Sequence, residues 1–209
     1  RATYLREGGL ADRIHFNCSG KHAAFLATSS LRGWDLPTYL APSHPMQLAV
    51  RAVIEELCQE SAFTATTDGC GAPLFAVSLA ALARGFRAIA IAEPNSPEGR
   101  VAAAMRDYPE MVGGIGREDT VLMQVVPGAI AKIGAEAVIV MALQDGRACA
   151  IKISDGAARG HQPVVRAVLS SWGVSAEAVE DIAVQPVLGG GHPMGGLRLA
   201  AGVEDALRA

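Results

Sequence analysis

Apolar residues recur with a helical period through the first half of the chain and with a strand period in the middle of the second. That change restricts the fold more than any other feature. Val50, Val53, Ile54, Leu57 and Cys58 fall at i, i+3, i+4, i+7 and i+8, one face of an amphipathic helix beginning at Pro45. A helix over residues 23–32 is expected to stop at Gly33. Another is expected to start at Pro73 and run through residue 83, apolar nearly all round and so buried. Ser96 as N-cap and Pro97 in the first helical position open a fourth. Residues 120–126 then read as a strand, and residues 137–143 and 147–153 as a hairpin around Gln144-Asp145-Gly146. A helix over residues 163–172 ended by Gly173, a short helix after Ser175, and a Gly-rich tail leading into a last strand complete the pattern. Helices followed by antiparallel strands, not a βαβ repeat, predict an α+β fold in one domain spanning residues 1–209.

Composition excludes several function classes. Half of the residues are apolar and 19% are charged, which favours a packed core over disorder. A net charge of -3 without a basic, aromatic-rich stripe argues against nucleic acid as a partner. No apolar run reaches the length of a membrane span. The opening RATYLREGGLADR has no apolar h-region, so a cytoplasmic protein is expected. Cys18, Cys58, Cys70 and Cys149 are too dispersed for a small disulfide framework. Cys58 and Cys149 lie on apolar faces and read as buried thiols, whereas Cys18 and Cys70 sit in Gly-rich polar motifs.

Lysine usage sharpens the search. The chain has fifteen Arg against three Lys, at 21, 132 and 152. Surface charge is carried by Arg, so each Lys is a candidate for retention as an amine, the one basic group of the two that can lose its proton. Asn17-Cys18-Ser19-Gly20-Lys21-His22 packs a thiol, a hydroxyl and an amine into a helix start. There the dipole is expected to favour an anion and lower the Cys18 thiol pKa. Asp68-Gly69-Cys70-Gly71-Ala72-Pro73 places a second thiol between glycines, as a metal ligand with Cys18, a disulfide partner or an inert turn residue. Lys132, between small apolar residues, is either a desolvated general base or a structural amine paired with Glu136.

NCSGKHA at 17–23, HPMQ at 44–47, DGCGAP at 68–73, GREDT at 116–120, AKIGAE at 131–136 and KISDG at 152–156 stand in the order of the signature blocks of the asparaginase II family, the rhizobial-type L-asparaginases. The chain resembles that family along nearly its whole length. The resemblance implies a fold similar to serine β-lactamases and glutaminases, an antiparallel sheet packed with helices, and hydrolysis of L-asparagine to aspartate and ammonia. It implies one zinc ion on Cys18, Lys21 and Cys70 beside the pocket, and catalytic roles for Lys21 and Lys132, the latter activating a serine. It assigns Asp68 to the substrate's amino group and places Arg117, Ser19 and His22 at the substrate pocket. Family members carry the nucleophile in an N-terminal Ser-x-x-Lys. The residue three before each Lys here is Cys18, Ala129 or Cys149, and Glu136 is followed by Ala137 where the family has Gly. The expectation is that the nucleophile segment lies outside these residues and that they are inactive alone. A homodimer is the default assembly. A non-catalytic zinc- or ligand-binding domain is the principal alternative, and a Cys18 nucleophile with Lys21 or His22 as base is the third reading.

Overall fold

The computed structural model describes residues 2–180, 182 and 184–208. The chain divides into two compact units, Arg1–Glu56 with Glu60–Val77, and Leu57–Gln59 with Ser78–Ala209.

The first unit contains α1 (Ala2–Arg6), α2 (Ser19–Arg32), most of α3 (Pro45–Cys58) and a hairpin of β1 (Thr64–Thr67) with β2 (Pro73–Ala76). Helix α2 starts four residues before the expected point, so Ser19-Gly20-Lys21-His22 form its first turn. Cys18 occupies the N-cap position without a side-chain cap. The helix ends as expected at Gly33, whose φ of 67° is left-handed. Gly33 N–H donates to Ser30 O at 3.2 Å and Trp34 N–H to Ser29 O at 2.9 Å, which satisfies the last-turn carbonyls.

No helix begins at Pro73. Thr67 pairs with Pro73 in an antiparallel register, and Asp68-Gly69-Cys70-Gly71-Ala72 forms the turn between the strands. Asp68 N–H donates to Ala72 O at 2.8 Å, and Gly71 takes a φ of 86° that an L side chain rarely adopts. The apolar run that reads as one helix is therefore split. Its front is an edge strand, where a leading Pro removes no ladder bond. The helix waits for Ser78, whose Oγ accepts Ala81 N–H at 3.1 Å and caps α4 (Leu79–Ala90).

The second unit continues with α5 (Pro97–Asp107), α6 (Pro109–Val112), α7 (Glu118–Val125), and the sheet β3 (Ile130–Ile133), β4 (Val138–Ala142) and β5 (Ala148–Lys152). After a 3-10 turn at Ala158–Gly160 come α8 (His161–Ser171), α9 (Ala176–Glu180), a hairpin of β6 (Pro186–Gly189) with β7 (His192–Gly196), and α10 (Val203–Arg208). Ser96 Oγ caps α5 by accepting Gly99 N–H at 3.0 Å, and β4 and β5 form the expected hairpin. Residues 120–125 are helical instead of extended, and Val126 is the C-cap. Asp119, Thr120, Leu122, Met123 and Val126 are the buried positions, a 3–4 spacing that the β-branched composition of the segment masks. Each three-stranded pairing is antiparallel, in the order β3-β4-β5. Helix α4 packs against β4 and β5, and α7 against β3.

The architecture is thus α+β with small antiparallel sheets. Leu122, Val126, Ile139, Met141, Val165 and Leu169 form the centre of the second unit's core, and Cys149 packs half-buried against it. Burial pushes the Cys149 thiol pKa up, as a core thiol requires. Cys58 is also buried, its sulfur 2.9 Å from where a Gly85 Cβ would stand, so α4 approaches it through a glycine. Among the described residues no helix is long and apolar enough to cross a membrane.

Leu169 has no exposed surface, so Leu169→Ala is expected to cost about 2–5 kcal/mol. Met111 is 81% exposed, and Met111→Ala should change stability by less than about 0.5 kcal/mol. Urea unfolding of both variants checks this; equal losses would contradict the assigned core.

Candidate functional site

The first turn of α2 and the β1–β2 turn bring four side chains together. Lys21 Nζ donates to Cys70 Sγ and to Asp68 Oδ2, each at 3.4 Å. The Cys70 thiol also approaches Asp68 Oδ2 at 3.8 Å, and it lies near enough to Cys18 to affect that thiol's pKa. Asn17 Nδ2 donates to Cys18 Sγ at 3.7 Å. Both thiols are free. Residues 47 and 49 positions apart in sequence thus meet at one amine.

The electrostatics differ from the sequence expectation for Cys18. Burial raises its thiol pKa, Lys21 opposes that rise, and the neighbouring Cys70 reinforces it. The thiol is therefore pushed up, not down, because burial and the neighbouring Cys70 outweigh the opposing effects of Lys21 and Asn17. This counts against Cys18 as a nucleophile, which needs thiolate. Partial burial pulls the Lys21 amine down, but the Cys70 contact and the charges of Cys70, Cys18 and Asp68 outweigh it, and the net shift is upward. Asp68 is held below the usual carboxylate range, first by Gly69 N–H at 2.7 Å and then by Lys21. Lys21 is 39% and Asp68 40% exposed, so their ion pair is screened and contributes little alone.

Beside this cluster lies an open hollow of about 840 Å³, lined by Phe16, Ser19, His22, Leu26, Tyr39 and Cys70. His22 Nδ1 meets Tyr39 Oη at 2.6 Å, and the two rings pack edge-on. His22 Nε2 is buried without a partner. Tyr39 was not recognisable as a site residue from sequence, since it lies in no matching block. Among the described residues, no group of three His, Cys, Asp or Glu side chains is placed to hold a metal. A donor set on Cys18, Lys21 and Cys70 is of a different kind, because its third member is an amine.

Lys132 and Arg117 belong to the second unit. Lys132 is neither buried among its apolar neighbours nor paired with Glu136. Its side chain is 45% exposed and its Nζ donates to Ile133 O at 2.7 Å and to Asp119 Oδ2 at 3.3 Å. Asp119 is fully buried and also accepts Ile133 N–H at 3.1 Å and Thr120 N–H at 3.2 Å. A Cβ on Gly113 would stand 2.1 Å from Asp119 Oδ1, so the carboxylate needs that glycine. Asp119 was missed at the sequence level; the acidic pair Glu118-Asp119 at a helix start was the available signal. Arg117 is exposed at the N-cap of α7, without a side-chain cap. His161, which carries no sequence pattern, is buried with its Nδ1 2.9 Å from Glu118 Oε2.

A family model described as L-asparaginase II matches residues 1–199. A search of curated proteins finds no match.

Because the Cys18 thiol is raised above its ordinary 9.0, thiolate forms only on the alkaline side of that value. Iodoacetamide alkylation of Cys18 in metal-free protein, followed by mass spectrometry, should reach half its maximal rate above pH 9.0. Lys21→Met removes the one charge favouring thiolate and should move the midpoint higher. A midpoint below 9.0 contradicts the assigned burial.

Proposed function

The chain belongs to the L-asparaginase II family, and on that premise we propose that it is an amidohydrolase acting on L-asparagine through a serine acyl-enzyme, with a zinc ion beside the substrate. The convergence of Cys18, Lys21, Asp68 and Cys70 on one point supports this most strongly.

The residues fit the ion. Zinc–sulfur and zinc–nitrogen bonds of roughly 2.3 and 2.1 Å place neighbouring donors about 3.6 Å apart at the corners of a tetrahedron. Lys21 Nζ and Cys70 Sγ are 3.4 Å apart, and Cys70 lies near enough to the Cys18 thiol to raise its pKa. Two thiolates and an amine would make a soft donor set for such an ion. Cys18, Lys21 and Cys70 would hold the ion, the two thiols as thiolates, and it would supply a positive charge beside the substrate. Lys21 holds an extra proton in the metal-free site and must release it to become a ligand.

In the same reading, Asp68 binds the substrate's ammonium group. Its lowered pKa keeps it ionised across the physiological range, as that role requires. Ser19 and His22 line the adjoining hollow and contact the substrate. Tyr39 fixes the His22 ring through Nδ1, leaving Nε2 as the free polar atom. Arg117 is read, from the family resemblance, as a residue near the substrate. Lys132 moves the proton from the attacking serine, with buried Asp119 anchoring its amine. The serine itself belongs to a Ser-x-x-Lys segment, which residues 1–209 do not contain. The β-lactamase-like arrangement, the homodimer and a cytoplasmic setting belong to the same proposal.

Ammonia release from L-asparagine tests it. Residues 1–209 alone should give none, and the same residues joined to a family Ser-x-x-Lys segment should turn over. In that active protein Lys132→Met should lower kcat by about 10²-fold or more, while Asp68→Asn should act mainly on KM. Bound zinc without turnover in the joined protein would favour a non-catalytic binding domain.

A further inference from the structure

Helices α2 and α3 are joined by residues 33–44, a stretch of turns and bends. Its backbone bonds are local. Tyr39 N–H donates to Leu36 O at 3.3 Å, Ala41 N–H to Thr38 O at 2.8 Å and His44 N–H to Ala41 O at 2.9 Å, each three residues back. Bonds of that span shape a loop without attaching it to a helix. The HPMQ block at 44–47, which carries none of the proposed catalytic roles, makes the attachment. His44 Nε2 donates to Asp35 O at 2.8 Å and closes the loop, while its Nδ1 accepts Met46 N–H at 3.1 Å in the first turn of α3. Pro45 starts that helix, where a missing N–H leaves no bond unmade. Gln47 then donates from Nε2 to Tyr39 O at 2.8 Å. Both His44 and Gln47 are buried, and Gln47 has no exposed surface.

A carbonyl only accepts, so Gln47 must turn its NH₂ to Tyr39, which leaves its Oε1 buried without a partner. An unpaired buried oxygen is costly, and an apolar side chain of similar length would have none. Gln47 is therefore a poor residue for the core alone. What it holds explains its presence. Tyr39 meets His22 Nδ1 with its hydroxyl at 2.6 Å, the two rings packed edge-on, and both residues line the open hollow. Two hydrogen bonds thus run from α3 through Tyr39 to His22 on α2.

We propose that Gln47 is a positioning residue for this hollow: by holding the Tyr39 carbonyl it sets the Tyr39 hydroxyl on His22 and fixes the wall that the two rings form. The effect on substrate rests on the reading that the hollow receives it; the hydrogen-bond chain does not.

Nuclear magnetic resonance of the His22 ring protons, at one fixed pH in metal-free residues 1–209, reads the chain directly. The signals are assigned by their loss in His22→Asn. Gln47→Met keeps the length and removes the donor, and it should move the His22 signals in the same direction as Tyr39→Phe. The double variant should add little to either change, because both break one chain. Met46→Ala, a buried neighbour on the same helix, should lower Tm and leave the His22 signals in place. Should Gln47→Met not fold by circular dichroism, Gln47→Asn, which draws the amide back by one methylene, gives the same reading. In the active joined protein Gln47→Met should raise KM for asparagine by about tenfold, the effect of one lost hydrogen bond, with kcat little changed. Unmoved His22 signals in Gln47→Met, equal movement in Met46→Ala, or an unchanged KM in an active joined protein overturns the inference. A joined protein without turnover overturns the amidohydrolase reading instead, and the His22 signals still decide the role of Gln47.

Discussion

The ammonium of Lys21 joins two separate pieces of backbone in the candidate site. It extends from the first turn of α2 to the turn between β1 and β2, and meets both a thiol and a carboxylate there. Asp68 and Cys70 are set by that turn, with its left-handed Gly71, and Cys18 by its place one residue ahead of α2. The arrangement therefore depends on local backbone features more than on a deep core. Its groups are partly exposed, so their mutual attraction is screened. A site of this kind gains most from a ligand that several donors share, and two thiols with an amine are suited to a soft cation.

The same logic, with opposite chemistry, runs through the second unit. Asp119 is a fully buried carboxylate whose contacts are Lys132 and two backbone N–H groups. A buried charge without such partners would be strongly destabilising. Lys132 is thus held by a specific acceptor while nearly half of its side chain faces water. A fixed, reachable amine is what proton transfer needs; a desolvated one is not the only route to it.

Much of the fold was legible where local rules act alone. Pro45, Ser96-Pro97 and Gly33 mark helix ends through capping chemistry confined to a few residues, and Asp145-Gly146 marks the β4–β5 turn. Legibility failed where two local signals competed. Pro73 heads an apolar run that suits a helix, yet pairing with Thr67 makes its front a strand. Residues 120–126 have strand-like composition, yet the burial of Asp119 and Thr120 beside Leu122 and Met123 is helical. At the site, motif order pointed to Cys18, Lys21, Asp68 and Cys70. The partners that define the other groups were hidden. Tyr39 for His22, Asp119 for Lys132 and Glu118 for His161 lie 17, 13 and 43 positions away, and no periodicity encodes such pairs.

The central claim is that Cys18, Lys21 and Cys70 hold one cation together. X-ray absorption at the zinc edge on metal-loaded protein tests it most directly. The expected spectrum has two sulfur neighbours at about 2.3 Å and nitrogen or oxygen neighbours at about 2.0–2.1 Å, with one sulfur lost in Cys18→Ser and one in Cys70→Ser. A shell of nitrogen and oxygen alone, or a sulfur count unchanged by either substitution, would contradict it.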